Sequence, residues 1–152
     1  KLLNENIKKN ISVSIIGDGE LKGKLENYIK INNFNNIIKI LGFKHNPMKY
    51  VARSNLFILS SDYEGLPTVL IEASYTGIDI ISTDCPYGPS EILNNYSNST
   101  LVSVKNKNML CSSIEKYYNK KNNKSVTRQN IDQSYLPNTI FKKYYSVIYN
   151  NE

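Results

Sequence analysis

At 152 residues, 40% hydrophobic and 21% charged, the chain has the size and balance of one globular domain rather than a disordered segment. No apolar run approaches membrane-spanning length, and the first residues lack the layout of a secretory signal. The net charge of +6 excludes little by itself, but without interleaved aromatic and basic motifs it does not point to nucleic acid.

Residues 1–10 read as the tail of a helix or a lead-in, and because the first residue is Lys1 the chain is expected to be a fragment or a processed product. Residues 11–16 form a first strand, ending in Gly17-Asp18-Gly19-Glu20. Leu21, Leu25, Tyr28 and Ile29 then mark one helix face, broken by the Asn-rich residues 32–36. A second strand covers 37–43. Asn46 caps a short helix opened by Pro47, with Met48, Val51 and Ala52 inward. The apolar run Leu56–Leu59 is a third, buried strand. The stretch SDYEGLPTVLIEA, residues 61–73, follows, with Pro67 at the first helical position and Val69, Leu70 and Ala73 on the apolar face.

Gly77 closes that helix, and 79–83 is a fourth strand. The loop 84–89 leads to a short helix over 90–94, and 100–104 is a fifth, shorter strand. A helix over about 107–118 is lined by Met109, Leu110, Ser113, Ile114 and Tyr117, and the polar residues 119–125 are expected to be a loop. After Pro137 a last amphipathic helix carries Ile140, Phe141, Tyr144, Tyr145 and Ile148. Between Lys105 and Arg128 lie seven basic residues and one acid, Glu115, so acids and bases balance elsewhere. That cluster reads first as a solvated helix face and loop, and second as a contact for anionic lipid or substrate. Cys85 and Cys111 lack metal spacing and read as reduced structural thiols of a cytosolic protein.

Strands alternating with helices at this spacing specify a parallel, right-handed, Rossmann-like α/β sheet with helices on both faces. In such sheets ligands bind beyond the carboxyl ends of the strands. Glu64 falls on a strand-to-helix loop there, and Glu72 about one and a half turns into the helix. The amides of Leu66, Thr68 and Val69 lie at the helix start, where backbone N–H groups and the helix dipole favour an anion. Two hydroxyl-binding acids beside one phosphate-binding helix end suggest a sugar nucleotide.

Taken in order, GDGELKGKLE, ILGF, SDYEGLPTVLIEA and ISTDCPYGPSEIL resemble the C-terminal half of family 4 retaining glycosyltransferases, over residues from about 13 to 148. The fold this implies is half of a GT-B architecture, so residues 1–152 are expected to be one incomplete nucleotide-sugar-binding domain. The resemblance implies that Glu72 holds the ribose hydroxyls and that Glu64, the catalytic candidate, holds a hydroxyl of the donor sugar. It further implies that Gly65, Leu66, Pro67, Thr68 and Val69 face the sugar and diphosphate. Gly42, Phe43 and Lys44 would hold the base, and Gly17 and Gly19 would lie near the diphosphate. Asp62, Gly88 and Glu91 stand behind these as further candidates.

The activity implied is retaining transfer of a hexose from a nucleotide diphosphate sugar, a UDP-sugar first, with no metal or other cofactor. The acceptor would be a glycan or lipid-linked glycan of cell-surface polysaccharide synthesis. A cytoplasmic location follows, with a peripheral contact at the inner membrane face as a further expectation. The family's assisting Arg and Lys lie before the glycine-loop strand, and no residue before Ile11 matches them. The first, central strand of the usual 3-2-1-4-5-6 order and the acceptor domain have no counterpart either. The strands at 11–16 and 56–59 are therefore expected either to pair directly or to leave a gap, and the isolated chain to be inactive. The alternative is a non-catalytic nucleotide-sugar-binding module, or a truncated remnant requiring a separate acceptor domain. A sugar-nucleotide epimerase, which shares the two-domain architecture, is disfavoured by the family 4 spacing. A nicotinamide-binding domain ranks lower, because Gly17 to Lys22 lacks the third glycine of its fingerprint.

Overall fold

The computed structural model describes residues 2–123 and 139. The elements, in order, are α1 (Glu5–Lys9), β1 (Val13–Ile16), α2 (Lys22–Ile31), β2 (Ile38–Gly42), α3 (Met48–Val51) and β3 (Leu56–Leu59). They continue with α4 (Thr68–Tyr75), β4 (Asp79–Thr83), α5 (Pro89–Leu93), β5 (Ser99–Val102) and α6 (Lys107–Asn123). The expected helix after Pro137, with its tyrosines, lies outside the described residues apart from 139.

All strand pairs are parallel, as expected, but they form two sheets, β1-β2 and β3-β4-β5. Of the two outcomes foreseen for the strands at 11–16 and 56–59, the gap is the one observed. The orders 2-1 and 3-4-5 are what remains of 3-2-1-4-5-6 once its first strand is removed. Helix α6 reaches both parts. The Asn4 backbone N–H, at the start of α1, donates to Glu115 Oε1 at 3.2 Å, and the Tyr117 hydroxyl donates to the Asn55 carbonyl at 2.6 Å, just before β3.

Local chemistry sets most boundaries. Asn4 caps α1 by accepting from the Asn6 amide. Asn33 takes a left-handed conformation (φ 56°) after α2, and Gly77 does so after α4 (φ 68°), where an L side chain would be strained. Asn46 Oδ1 accepts from the Lys49 amide, the cap expected for α3.

Four expectations change. Pro67 precedes α4 instead of opening it, because its ψ of 82° is not helical. Helix α6 continues into the expected loop as far as Asn123, since residues 119–123 are polar but contain neither Gly nor Pro to stop it. Ala52 lies past the end of α3 and is exposed. Leu21 and Tyr28 are exposed too, although Leu25 is half-buried and Ile29 buried, because a two-stranded sheet is too narrow to cover the whole face of α2.

The core sits on the three-stranded part. Leu70 and Ala73 of α4 pack with Ile78 and Ile80 at β4, Ile92 and Leu93 of α5, Val51 and Tyr96. Strand β4, flanked on both sides, is buried from Ile80 to Thr83. This packing fixes the loop between β3 and α4.

Candidate functional site

The loop between β3 and α4 is shaped by its own short-range chemistry. Proline's ring restricts φ, and at φ −73°, ψ 82° Pro67 is the centre of an inverse γ-turn in which the Thr68 amide donates to the Leu66 carbonyl at 2.8 Å. Of the three amides expected to face an anion, Thr68's is therefore spent inside the turn. Those of Leu66 and Val69 have no acceptor among the described residues. Glu64 is half-buried, and its Oε1 accepts from the Ser61 hydroxyl at 2.6 Å. The β3–β4 register, Leu59 opposite Ser82, brings the buried Thr83 beside this loop, where its hydroxyl donates to the Ser61 carbonyl at 2.5 Å.

A second loop is clamped onto the first. Gly88 (φ 96°) lies so close that a Cβ there would come within 2.3 Å of Pro67 Cδ and 2.8 Å of the Gly65 carbonyl oxygen. Only glycine fits, on both conformation and space. Cys85, on the same loop, is a free, buried thiol. Burial pushes its pKa up, and the nearby Glu64 and Asp84 carboxylates add to the shift.

The loops after β1 and β2 form another joined pair. The Gly17 amide donates to the Gly42 carbonyl at 3.0 Å, and both glycines have positive φ. Lys22, at the start of α2, pairs with Asp18 Oδ2 at 3.1 Å, and a Cβ on Gly42 would sit 3.7 Å from the lysine Nζ. Asp18 Oδ1 accepts from the Gly19 amide. The Lys22 hydrogen bond, then the Gly19 amide, hold the Asp18 carboxyl below its ordinary pKa. Phe43 is exposed and meets His45 edge-on, with ring centroids 5.1 Å apart.

The structure thus groups Gly17, Gly19, Gly42, Phe43 and Lys44 at the ends of β1 and β2. It groups Glu64, Gly65, Leu66, Pro67, Thr68 and Val69 after β3, with Gly88 packed on them. Glu72 is exposed in the second turn of α4, away from the buried Leu70, Ala73 and Ser74. Asp62 and Glu91 are exposed and make no described hydrogen bond. Among the described residues no hydrogen bond or ion pair joins the two groups, and no set of three or more His, Cys, Asp or Glu is placed to hold a metal ion.

Three contributors escaped the sequence reading: Lys22 between the glycine loops, and Ser61 and Thr83 behind Glu64. A hydroxyl three residues before a loop glutamate was the available signal for Ser61. Thr83 comes from another strand, and no local pattern marks it.

An uncharacterized glycosyltransferase of Methanocaldococcus jannaschii is 48% identical over 84 residues, covering 55% of this chain and 21% of the relative. A Campylobacter jejuni N-acetylgalactosaminyltransferase, whose name gives a diphospho-undecaprenol-linked acceptor, is 34% identical over 104 residues, covering 68% and 28%. Among solved structures, an S. aureus TarM mutant in complex with fondaparinux, alpha-GlcNAc-glycerol and UDP superposes with a TM-score of 0.80 at 24% identity, over 95% of this chain and 30% of that one. The chain thus spans less than a third of the length of these proteins. Among the described residues no helix is long and apolar enough to cross a membrane. The family model described as glycosyl transferases group 1 matches residues 1–134, and the chain belongs to that family.

Proposed function

We propose that this chain is the C-terminal, donor-binding part of a family 4 retaining glycosyltransferase that takes a hexose from a UDP-sugar. One observation carries the reading. A single turn beyond β3 presents the Glu64 carboxylate together with the open amides of Leu66 and Val69, and Glu72 follows on the same helix. A carboxylate accepts two hydroxyl hydrogen bonds at once, which suits Glu72 to the ribose diol and Glu64 to a sugar hydroxyl.

As the bond between the anomeric carbon and the diphosphate oxygen lengthens, positive charge gathers on the sugar ring and negative charge on the departing diphosphate. Amides already pointed at that growing charge stabilise it by roughly 3 kcal/mol each in a water-poor cleft. The Gly42–Phe43–Lys44 loop takes the base, and Gly17 and Gly19 border the diphosphate. Lys22, held by Asp18 in the free chain, is a cation within reach of the same loops.

The relatives supply the biological frame. Their names include transfer to a lipid-linked diphosphate and to poly(ribitol-phosphate). We assign this chain the same general role, building cell-surface polysaccharide on a glycan or lipid-linked acceptor at the cytoplasmic face of the membrane. The acceptor side belongs to the part of such proteins that this chain does not span. The divided sheet favours a second reading, a nucleotide-sugar-binding module without turnover of its own.

Calorimetric titration with UDP, GDP and ADP, beside a transfer assay with several UDP-sugars, tests both. UDP is expected to bind best and transfer to be absent. Equal, negligible heats for all three nucleotides would remove the donor role, and robust transfer would overturn the claim of incompetence.

A further inference from the structure

We propose that Ser61 is the positioning residue that aims Glu64 at the donor sugar, and that Thr83 in turn fixes Ser61; the inference rests on the donor reading above. A glutamate on a loop has three rotatable bonds, and ordering them at the moment of binding weakens whatever contact it makes. Here the ordering is done in advance. The Ser61 hydroxyl donates to Glu64 Oε1 at 2.6 Å, a short bond to an ionised acceptor. Among the described residues Oε2 has no partner, which leaves one lobe of the carboxylate for a sugar hydroxyl.

Ser61 is anchored in its own right. Its carbonyl accepts from the hydroxyl of Thr83, which is 5% exposed and belongs to β4, the best-buried strand among the described residues. A line of hydrogen bonds therefore runs from the core through Thr83 and Ser61 to the carboxylate. Gly88 holds the other side of the same turn against Pro67 and Gly65. The carboxylate's direction is thus set by the sheet and not by the loop alone. Neither Ser61 nor Thr83 needs to touch substrate.

The test compares affinities for UDP alone with those for UDP-glucose, UDP-N-acetylglucosamine and UDP-N-acetylgalactosamine. It uses the 152-residue chain and its variants Ser61→Ala, Ser61→Thr and Thr83→Val, with melting temperatures recorded alongside. The gain in affinity of the best UDP-sugar over UDP isolates the sugar contact. Ser61→Ala is expected to cut that gain on the order of fivefold while leaving UDP affinity unchanged, and Ser61→Thr to restore it. Thr83→Val is expected to cut it less; if that variant does not fold, the Ser61 pair decides.

A purely structural role would move the melting temperature and leave the gain intact, which overturns the proposal. A wild-type chain that binds UDP but gains nothing from the sugar also overturns it, through Glu64. A wild-type chain that fails to bind UDP removes the donor reading itself, and this inference with it.

Discussion

Both halves of the divided sheet pair their strands in parallel and differ in almost everything else. Strands β3, β4 and β5 rest on a continuous core in which Leu70 and Ala73 are fully buried and Ile80 nearly so. On α1 and α2, which flank β1 in the chain, Ile7 and Ile29 are the buried residues among those described, and Val13, Leu21, Tyr28 and Ile31 stay exposed. A two-stranded ribbon has one face too few partners to bury, so its apolar residues end half in water. Each half nevertheless carries one of the two loop clusters of the candidate site. The cluster around Glu64 is therefore preformed by packing, whereas the glycine cluster is held mainly by its own hydrogen bonds.

Core truncation gives the largest contrast between the halves. Ile80→Ala is expected to lower unfolding free energy by about 3–5 kcal/mol, whereas Ile40→Ala, half-buried on β2, should cost only about 1 kcal/mol. Urea melts of the two variants decide this, and equal losses would dissolve the comparison. Next in size is Gly88→Ala, which forces a methyl into Pro67 from a backbone conformation that L residues resist. About 3 kcal/mol of stability and most of the UDP-sugar gain should go together.

Smaller again is the alkaline limb. Burial pushes the Tyr96 hydroxyl, which donates to the Ile78 carbonyl at 2.6 Å, up to about 12, above its unfolded value near 10. The neutral form therefore contributes stability that is complete below about pH 10 and is lost as pH rises towards 12. The loss is on the order of 2 kcal/mol. Tyr96→Phe should flatten that fall at a cost of about 1 kcal/mol at neutral pH. An unchanged alkaline slope would place its origin elsewhere, Tyr117 being the other phenol raised to about 12 among the described residues.

Much of this was legible in the residues. The alternation of LFIL, the EGLP turn and the helix behind it needs only local rules, and so do the stops at Asn33 and Gly77. The gap in the sheet was legible as one of two outcomes, because strand order is a rule of the fold class. Three things were not. That Pro67 sits in a γ-turn and spends the Thr68 amide is a matter of one ψ angle. That α6 runs on to Asn123 reflects how weakly polar residues oppose a helix. The support of Ser61 by Thr83 joins residues on neighbouring strands, and only the β3–β4 register brings them together.

Hydrogen exchange of the 152-residue chain with and without saturating UDP tests most directly whether both halves serve one nucleotide. Slowed exchange is expected at residues 17–19, 42–44 and 66–72 together, with the glycine loops, faster in the free chain, gaining the most. Protection confined to one half, or found only elsewhere on the chain, would contradict it.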